Sequence, residues 1–190
     1  MNDKIKIQLL LNILDEVTSR FDELFKLKEQ LLAETNYKAT HDVLTDLLNR
    51  EAFEKELDNW LKEEEKFCLA FIDLDNFKYV NDTFGHNIGD FILVETANIL
   101  KNNLKGKDLI SRMGGDEFVI AIKNCDDKCA LHVLNTIESK IKEEFKKYNV
   151  SASIGGVIYP DEADSYKELL RKADKKMYKV KEAGKGKVLI

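Results

Sequence analysis

Two acidic pairs hold the chemistry that this chain is equipped to do. The first is Asp116-Glu117, which follows Gly114-Gly115 in the run Arg112-Met113-Gly114-Gly115-Asp116-Glu117-Phe118. Apolar β-type residues flank it, Leu109-Ile110 before and Phe118-Val119-Ile120-Ala121-Ile122 after. The glycines therefore read as a hairpin turn, because glycine reaches positive φ without a side-chain clash. Two carboxylates on a tight, exposed loop are what a metal–triphosphate site needs. The second pair, Asp73 and Asp75, ends a continuous apolar run that reads as a buried central strand. Alternate strand residues share a face, so both acids are expected to look the same way. A carboxylate there is costly to bury alone, and a divalent cation resolves the cost. Oxygen ligands select Mg²⁺ over zinc. Asp75 is equally placed to cap the turn that follows; Asp73, deeper in the strand, is the stronger metal candidate.

The composition narrows the partners. Of 190 residues, 44% are hydrophobic and 34% charged, enough for a core and a soluble surface, and the net charge is −5. That balance argues against a general nucleic-acid binder, so polyphosphate must be met by local lysines and divalent cations. No apolar run approaches the ~18 residues of a membrane span, and the amino end lacks a signal-peptide layout, so the expected location is cytoplasmic. Three cysteines, an odd number, argue against a disulfide framework. Cys125, Cys129 and His132 form a C-x3-C-x2-H cluster, but a structural zinc site wants four ligands, so these read as helix and loop residues.

The elements that must position the acids follow from periodicity. Residues 5–38 lack Gly and Pro, and Leu10, Val17, Leu24 and Leu31 recur at heptad spacing, with Ile13 and Leu27 between them and Leu14 and Phe21 widening the stripe. This predicts an amphipathic helix of coiled-coil character over residues 1–40, pairing subunits, although Arg20 and Glu34 interrupt its core positions. A globular domain follows over residues 41–190. Its expected elements are a helix capped by Thr45 or Asp46 and ending near Glu64, a strand over 67–74, a short helix over 77–83 and a helix over 89–104. Then come the glycine hairpin, a helix over 128–148, a strand over 150–159, a helix over 166–182 and a last strand over 187–190. The order implies an α/β (α+β) sandwich of a mixed sheet flanked by helices. Strand order does not follow from spacing.

Residues 41–190 resemble the GGDEF domain, the diguanylate cyclase family, over essentially their whole length. Asp42-Val43-Leu44-Thr45-Asp46-Leu47-Leu48-Asn49-Arg50 is similar to its opening motif, with Asp46 where glycine is usual. Phe71 to Lys78, Asn81-Asp82-Thr83-Phe84-Gly85-His86 and Gly89-Asp90 follow its central signature; Gly114 to Phe118 supply its name. Ser153-Ile154-Gly155, Ala173-Asp174 and Met177-Tyr178 match later landmarks. The resemblance implies a palm-like nucleotidyl cyclase fold that condenses two GTP into cyclic di-GMP and two pyrophosphates across a homodimer. It implies Mg²⁺ (or Mn²⁺) on Asp73, Asp116 and the Leu74 carbonyl, with Glu117 in a weaker part. Asp116, the implied proton acceptor, and Lys78 are the implied catalytic residues. Asn81 and Asp90 look like guanine readers, since a carboxylate accepts from the guanine N1–H and amino donors that adenine lacks. Phe77, His86, Lys181 and Lys185 complete the implied substrate contacts.

Two departures from the family pattern stand out. Lys185 sits where arginine is usual, keeping the charge but losing the bidentate fork. Lys105-Gly106-Lys107-Asp108 replaces the family's Arg-x-x-Asp product site, so Lys105, Asp108 and Arg112 are expected to give weak or absent product inhibition; sub-micromolar inhibition by cyclic di-GMP in a rate titration would contradict this. The alternatives are a degenerate, non-catalytic nucleotide-sensing module and a cyclase with a mixed dinucleotide product. No sensor domain precedes the helix, so the chain is expected to be part of a longer protein or coupled to a partner.

Overall fold

A computed structural model describes residues 3–63 and 65–190. Met1 and Asn2, at the start of the expected first helix, and Glu64, the expected end of the second, lie outside these. The chain divides into two units, Met1–Ala39 and Thr40–Ile190.

The described residues of the first unit lie in one helix, α1 (Asp3–Thr40), which has no buried residue. Its heptad leucines stand in the open; Leu10 and Leu24 are each 65% exposed. None of the described helices is long and apolar enough to cross a membrane.

The second unit comprises α2 (Arg50–Lys62), β1 (Phe67–Asp75), α3 (Phe77–Phe84), α4 (His86–Asn103), β2 (Leu109–Gly114), β3 (Glu117–Lys123), α5 (Asp127–Glu144), β4 (Ser151–Tyr159), α6 (Tyr166–Glu182) and β5 (Val188–Leu189). The strands form one sheet in the order β2-β3-β1-β4-β5, antiparallel except for the parallel β4–β5 pair. It is the expected mixed sheet flanked by helices.

Every residue of central β1 is buried. Its alternation sorts the core. Cys68, Ala70, Ile72 and Leu74 pack with α3, α4 and α5, while Phe67, Leu69 and Phe71 pack with α2 and α6. Asp73 and Asp75 continue the second set and lie on the α2/α6 face, as their spacing predicts. Gly155 of β4 lets α6 settle on that face, because a Cβ there would collide with the backbone at Ala173 and Met177.

Two expectations need correction. The cap of α2 is neither Thr45 nor Asp46 but Asn49, whose side chain accepts from the Ala52 N–H. Thr45 is drawn into its own turn, its N–H and hydroxyl both donating to Asp42 Oδ1. Cys125 and Cys129 are paired as a disulfide, leaving Cys68 as a free, buried thiol. An odd cysteine count disfavours a framework but says nothing about a local i,i+4 pair at a helix start, where the two Cα atoms lie 5.4 Å apart, within bridging range. The pairing removes both sulfurs as zinc ligands alongside His132.

Candidate active site

The glycine hairpin and the end of β1 are brought together by the sheet itself. Antiparallel register sets Asp73 opposite Glu117 and, on its other side, opposite Ser153. The Leu74 N–H donates to the Asp116 carbonyl at 3.2 Å, fixing the turn's acidic residue beside the strand end. Gly114 and Gly115 take φ of 142° and 53°, conformations that a side chain would strain.

The two strand-end acids differ. Asp75 is neither a cap nor a free ligand. It accepts from the Ser151 hydroxyl at 2.6 Å, the Ser153 hydroxyl at 2.8 Å and the Gly186 N–H at 3.0 Å. It is a structural tie that holds the 184–186 loop against β4. Asp73 is also buried, and Lys181 is its one ionic partner among the described residues. Lys181 Nζ lies 2.7 Å from Oδ1, yet that oxygen makes no aligned hydrogen bond. Burial pushes the Asp73 carboxyl up to about 6; Lys181 pulls it down, and the neighbouring Asp116 and Asp75 charges oppose that pull. Glu117 is likewise raised, by burial first and then by Asp116 and Asp174.

This is a poor place for a carboxylate with only a lysine to answer it, and a good one for a divalent cation. Among the described residues no three His, Cys, Asp or Glu side chains form a ready cage. Mg²⁺ does not require one, since it is commonly held by one or two carboxylates together with substrate phosphates and water. Asp73 and Asp116 fit that description.

A stability prediction follows. A folded-state pKa near 6 against about 3.9 unfolded means that the folded chain binds the extra proton between those values, so stability falls as pH rises through them. Allowing for solvent screening, the penalty at pH 7 is about 1–2 kcal/mol. Asp73→Asn should therefore raise the melting temperature at pH 7 without divalent cations, with the gain shrinking toward pH 4. A variant equally or less stable at pH 7 would contradict this.

Other lysines stand on the elements that adjoin β1. Lys185, in left-handed backbone (φ 64°), donates to Asn76 Oδ1 at 3.0 Å, so the carboxyl-terminal loop reaches the β1–α3 turn. Asn76 is itself left-handed (φ 63°) and donates to the Asn149 carbonyl. Lys78 is exposed on the first turn of α3. Asn81 lies over α4, where Gly89 leaves room for its carboxamide next to Asp90. Phe77 is buried beneath them, and its ring also borders Gly89. His86 opens α4 and is exposed.

Sequence reasoning did not find the clamp on the hairpin. Arg112 Nε and Nη2 donate to the Gly115 carbonyl at 3.0 and 2.8 Å, while Nη1 donates to both Asp42 oxygens at 3.0 and 3.2 Å. Burial works against ionising Asp42, but Thr45 and Arg112 outweigh it and hold its carboxyl below the usual range. The segment around Leu48 runs beside β2, with the Leu48 N–H on the Ile110 carbonyl and the Arg112 N–H on the Leu48 carbonyl. The signal in the sequence was Asp42 three residues before Thr45, a spacing at which an aspartate side chain can accept from the N–H three residues on, as an N-cap does. Asp46 takes φ 57°, which accounts for a position where the family favours glycine. Asp108 is also engaged, by the N–H groups of Lys105 and Lys123.

An acid-tipped hairpin beside a buried strand-end aspartate, on a mixed sheet flanked by helices, defines a palm-like nucleotidyl cyclase fold. The chain belongs to the GGDEF family: the family model "Diguanylate cyclase, GGDEF domain" matches residues 39–187. It is 33% identical over 193 residues to the bifunctional diguanylate cyclase/cyclic di-GMP phosphodiesterase MucR of Pseudomonas aeruginosa, covering 95% of this chain and 28% of that protein. It is 31% identical over 197 residues to the diguanylate cyclase DosC of Escherichia coli, covering 98% and 42%. The chain thus spans less than half the length of either relative. Among solved structures, the coiled coil and GGDEF domain of DgcB from Caulobacter crescentus, in complex with c-di-GMP, superposes with a TM-score of 0.80 at 27% identity, covering 91% of this chain and 96% of that one.

Proposed function

We propose that this chain is a diguanylate cyclase that joins two GTP molecules into cyclic di-GMP with release of two pyrophosphates. The observation that carries the reading is Asp73: a buried carboxylate set beside the pinned Asp116 turn, with Lys181 Nζ 2.7 Å from its Oδ1.

Asn81 and Asp90 read the guanine, Asp90 by accepting from the N1–H and amino group. Lys78, Lys181 and Lys185 meet the triphosphate, with Phe77 and His86 bordering the bound nucleotide. Lys181 is held ready by Asp73 and can turn to phosphate once the acid has a stronger partner. Asp73 and Asp116, with the Leu74 carbonyl and more weakly Glu117, would hold Mg²⁺ or Mn²⁺, which would neutralise triphosphate charge and acidify the attacking hydroxyl. Asp116 accepts the proton of the 3′-hydroxyl. The reaction belongs in the cytoplasm, where GTP is made.

Because one protomer holds one GTP, two must face each other. The open apolar stripe of α1 supports a second copy as its cover, with residues 1–40 raising the partner's effective concentration beside the catalytic domain of residues 41–190. Removing residues 1–38 should lower specific activity most at low protein concentration; a rate per protomer that does not change with dilution would contradict this. Such a helix also suits coupling to an upstream sensor or partner. Arg112 is committed to Gly115 and Asp42, and Lys105 stands for arginine, so product inhibition is expected to be weak.

Incubation with GTP alone, ATP alone and both, with Mg²⁺ and mass detection, tests the reading. Cyclic di-GMP from GTP, and nothing from ATP, is expected. A mixed dinucleotide would overturn the guanine assignment, and no product would favour a sensing module.

A further inference from the structure

A cavity of about 560 Å³ lies between α2 and α6, within the size range of small-molecule sites. Its walls include the apolar Phe71, Met113 and Leu170, and its charged groups include Arg50, Glu117 and Asp174. Phe71 precedes Asp73 by two residues on the same strand face, and Glu117 is the cross-strand partner of Asp73. The cavity therefore opens beside the acids of the proposed reaction centre. None of the ion pairs among the described residues engages Arg50, Glu117 or Asp174. Charged groups that line a concave space outside any ion pair can turn to a polar ligand.

The proposed guanine readers stand elsewhere. Asn81 and Asp90 belong to α3 and α4, which pack on the opposite face of the sheet. A nucleotide whose base is read there, with phosphates at Lys181 and Lys185, crosses the strand ends and has no group left for the α2/α6 cavity. The condensation still needs a second 3′-hydroxyl at the same acids. We infer that this cavity receives the ribose side of the second guanine nucleotide, the one carried by the facing copy of the chain. Asp174 accepts from ribose hydroxyls, Arg50 donates to the ribose oxygens, and Met113 and Leu170 pack on the apolar sugar face. The 3′-oxygen so placed bonds to the α-phosphorus of the first nucleotide, its proton passes to a carboxylate, and the bond to pyrophosphate breaks. This assignment rests on the cyclase reading.

The test compares binding of 3′-deoxy-GTP, which presents base and phosphates but cannot attack, with steady-state turnover of GTP. Leu170→Trp fills the cavity, and Asp174→Asn keeps the volume but removes the charge, so at least one variant tests the site without a packing change. Each is expected to bind 3′-deoxy-GTP within about twofold of the wild type while kcat falls about tenfold or more, as misplacement of a reacting group would cause. Turnover within twofold of the wild type in either folded variant would overturn the assignment. So would weakened 3′-deoxy-GTP binding in step with turnover, which would make the cavity part of the first nucleotide's site. A wild-type protein that makes no cyclic dinucleotide would instead fail the cyclase reading and remove the assignment with it.

Discussion

Asp116→Asn is expected to lower cyclic di-GMP formation by on the order of 10³-fold without lowering the melting temperature, since it also removes a charge that opposes ionisation of Asp73. The reason lies in how the turn is built. The Asp116 carbonyl is held by the Leu74 N–H and the Gly115 carbonyl by Arg112, whereas among the described residues the Asp116 carboxylate takes part in none of the ion pairs or hydrogen bonds that hold the turn. The substitution removes a charge that the reaction needs and keeps every bond that the fold needs. Circular dichroism melts beside initial rates check both halves. A variant retaining more than about a tenth of wild-type activity would place the essential carboxylate elsewhere, with Glu117 the first alternative.

Arg112→Ala is expected to reduce kcat by about 10- to 100-fold and to cost about 1–3 kcal/mol of stability. One guanidinium fixes the carbonyl that precedes Asp116 and ties it to Asp42, just after α1 in the chain. Lysine has the charge but not the planar fork needed to span two partners, so Arg112→Lys should not restore the rate. Binding of 3′-deoxy-GTP should stay within about twofold, because Asn81 and Asp90 stand on α3 and α4 rather than on the hairpin. That split of rate from binding separates a positioning role from general loss of structure. Wild-type kcat in Arg112→Ala would mean that the turn holds its shape through its glycines and strand pairing alone.

Much of this was legible in the sequence, and the limits have physical causes. The bounds of α6 follow from its apolar period, and the hairpin from adjacent glycines between β-type runs. Asp73 could be singled out because a carboxylate closing an apolar strand needs an explanation wherever the strand lies. Asp75 could not be separated from it by type or spacing. Its role depends on Ser151, Ser153 and Gly186, more than seventy residues away, which only strand pairing brings near. The Arg112–Asp42 clamp joins groups seventy residues apart for the same reason. Cys125 and Cys129 show the converse case: a count over the whole chain misjudged a pair that one helical turn sets face to face.

The central claim is that the Asp73–Asp116 site joins two GTP molecules when two copies of the chain face each other. Purified chain, incubated with GTP and Mg²⁺ over a range of protein concentrations, can be followed for both cyclic dinucleotide and pyrophosphate. The account predicts cyclic di-GMP with two pyrophosphates released per dinucleotide, at a rate per protomer that rises with protein concentration and is abolished in Asp116→Asn. Release of pyrophosphate without dinucleotide, or product formation undiminished in Asp116→Asn, would contradict it.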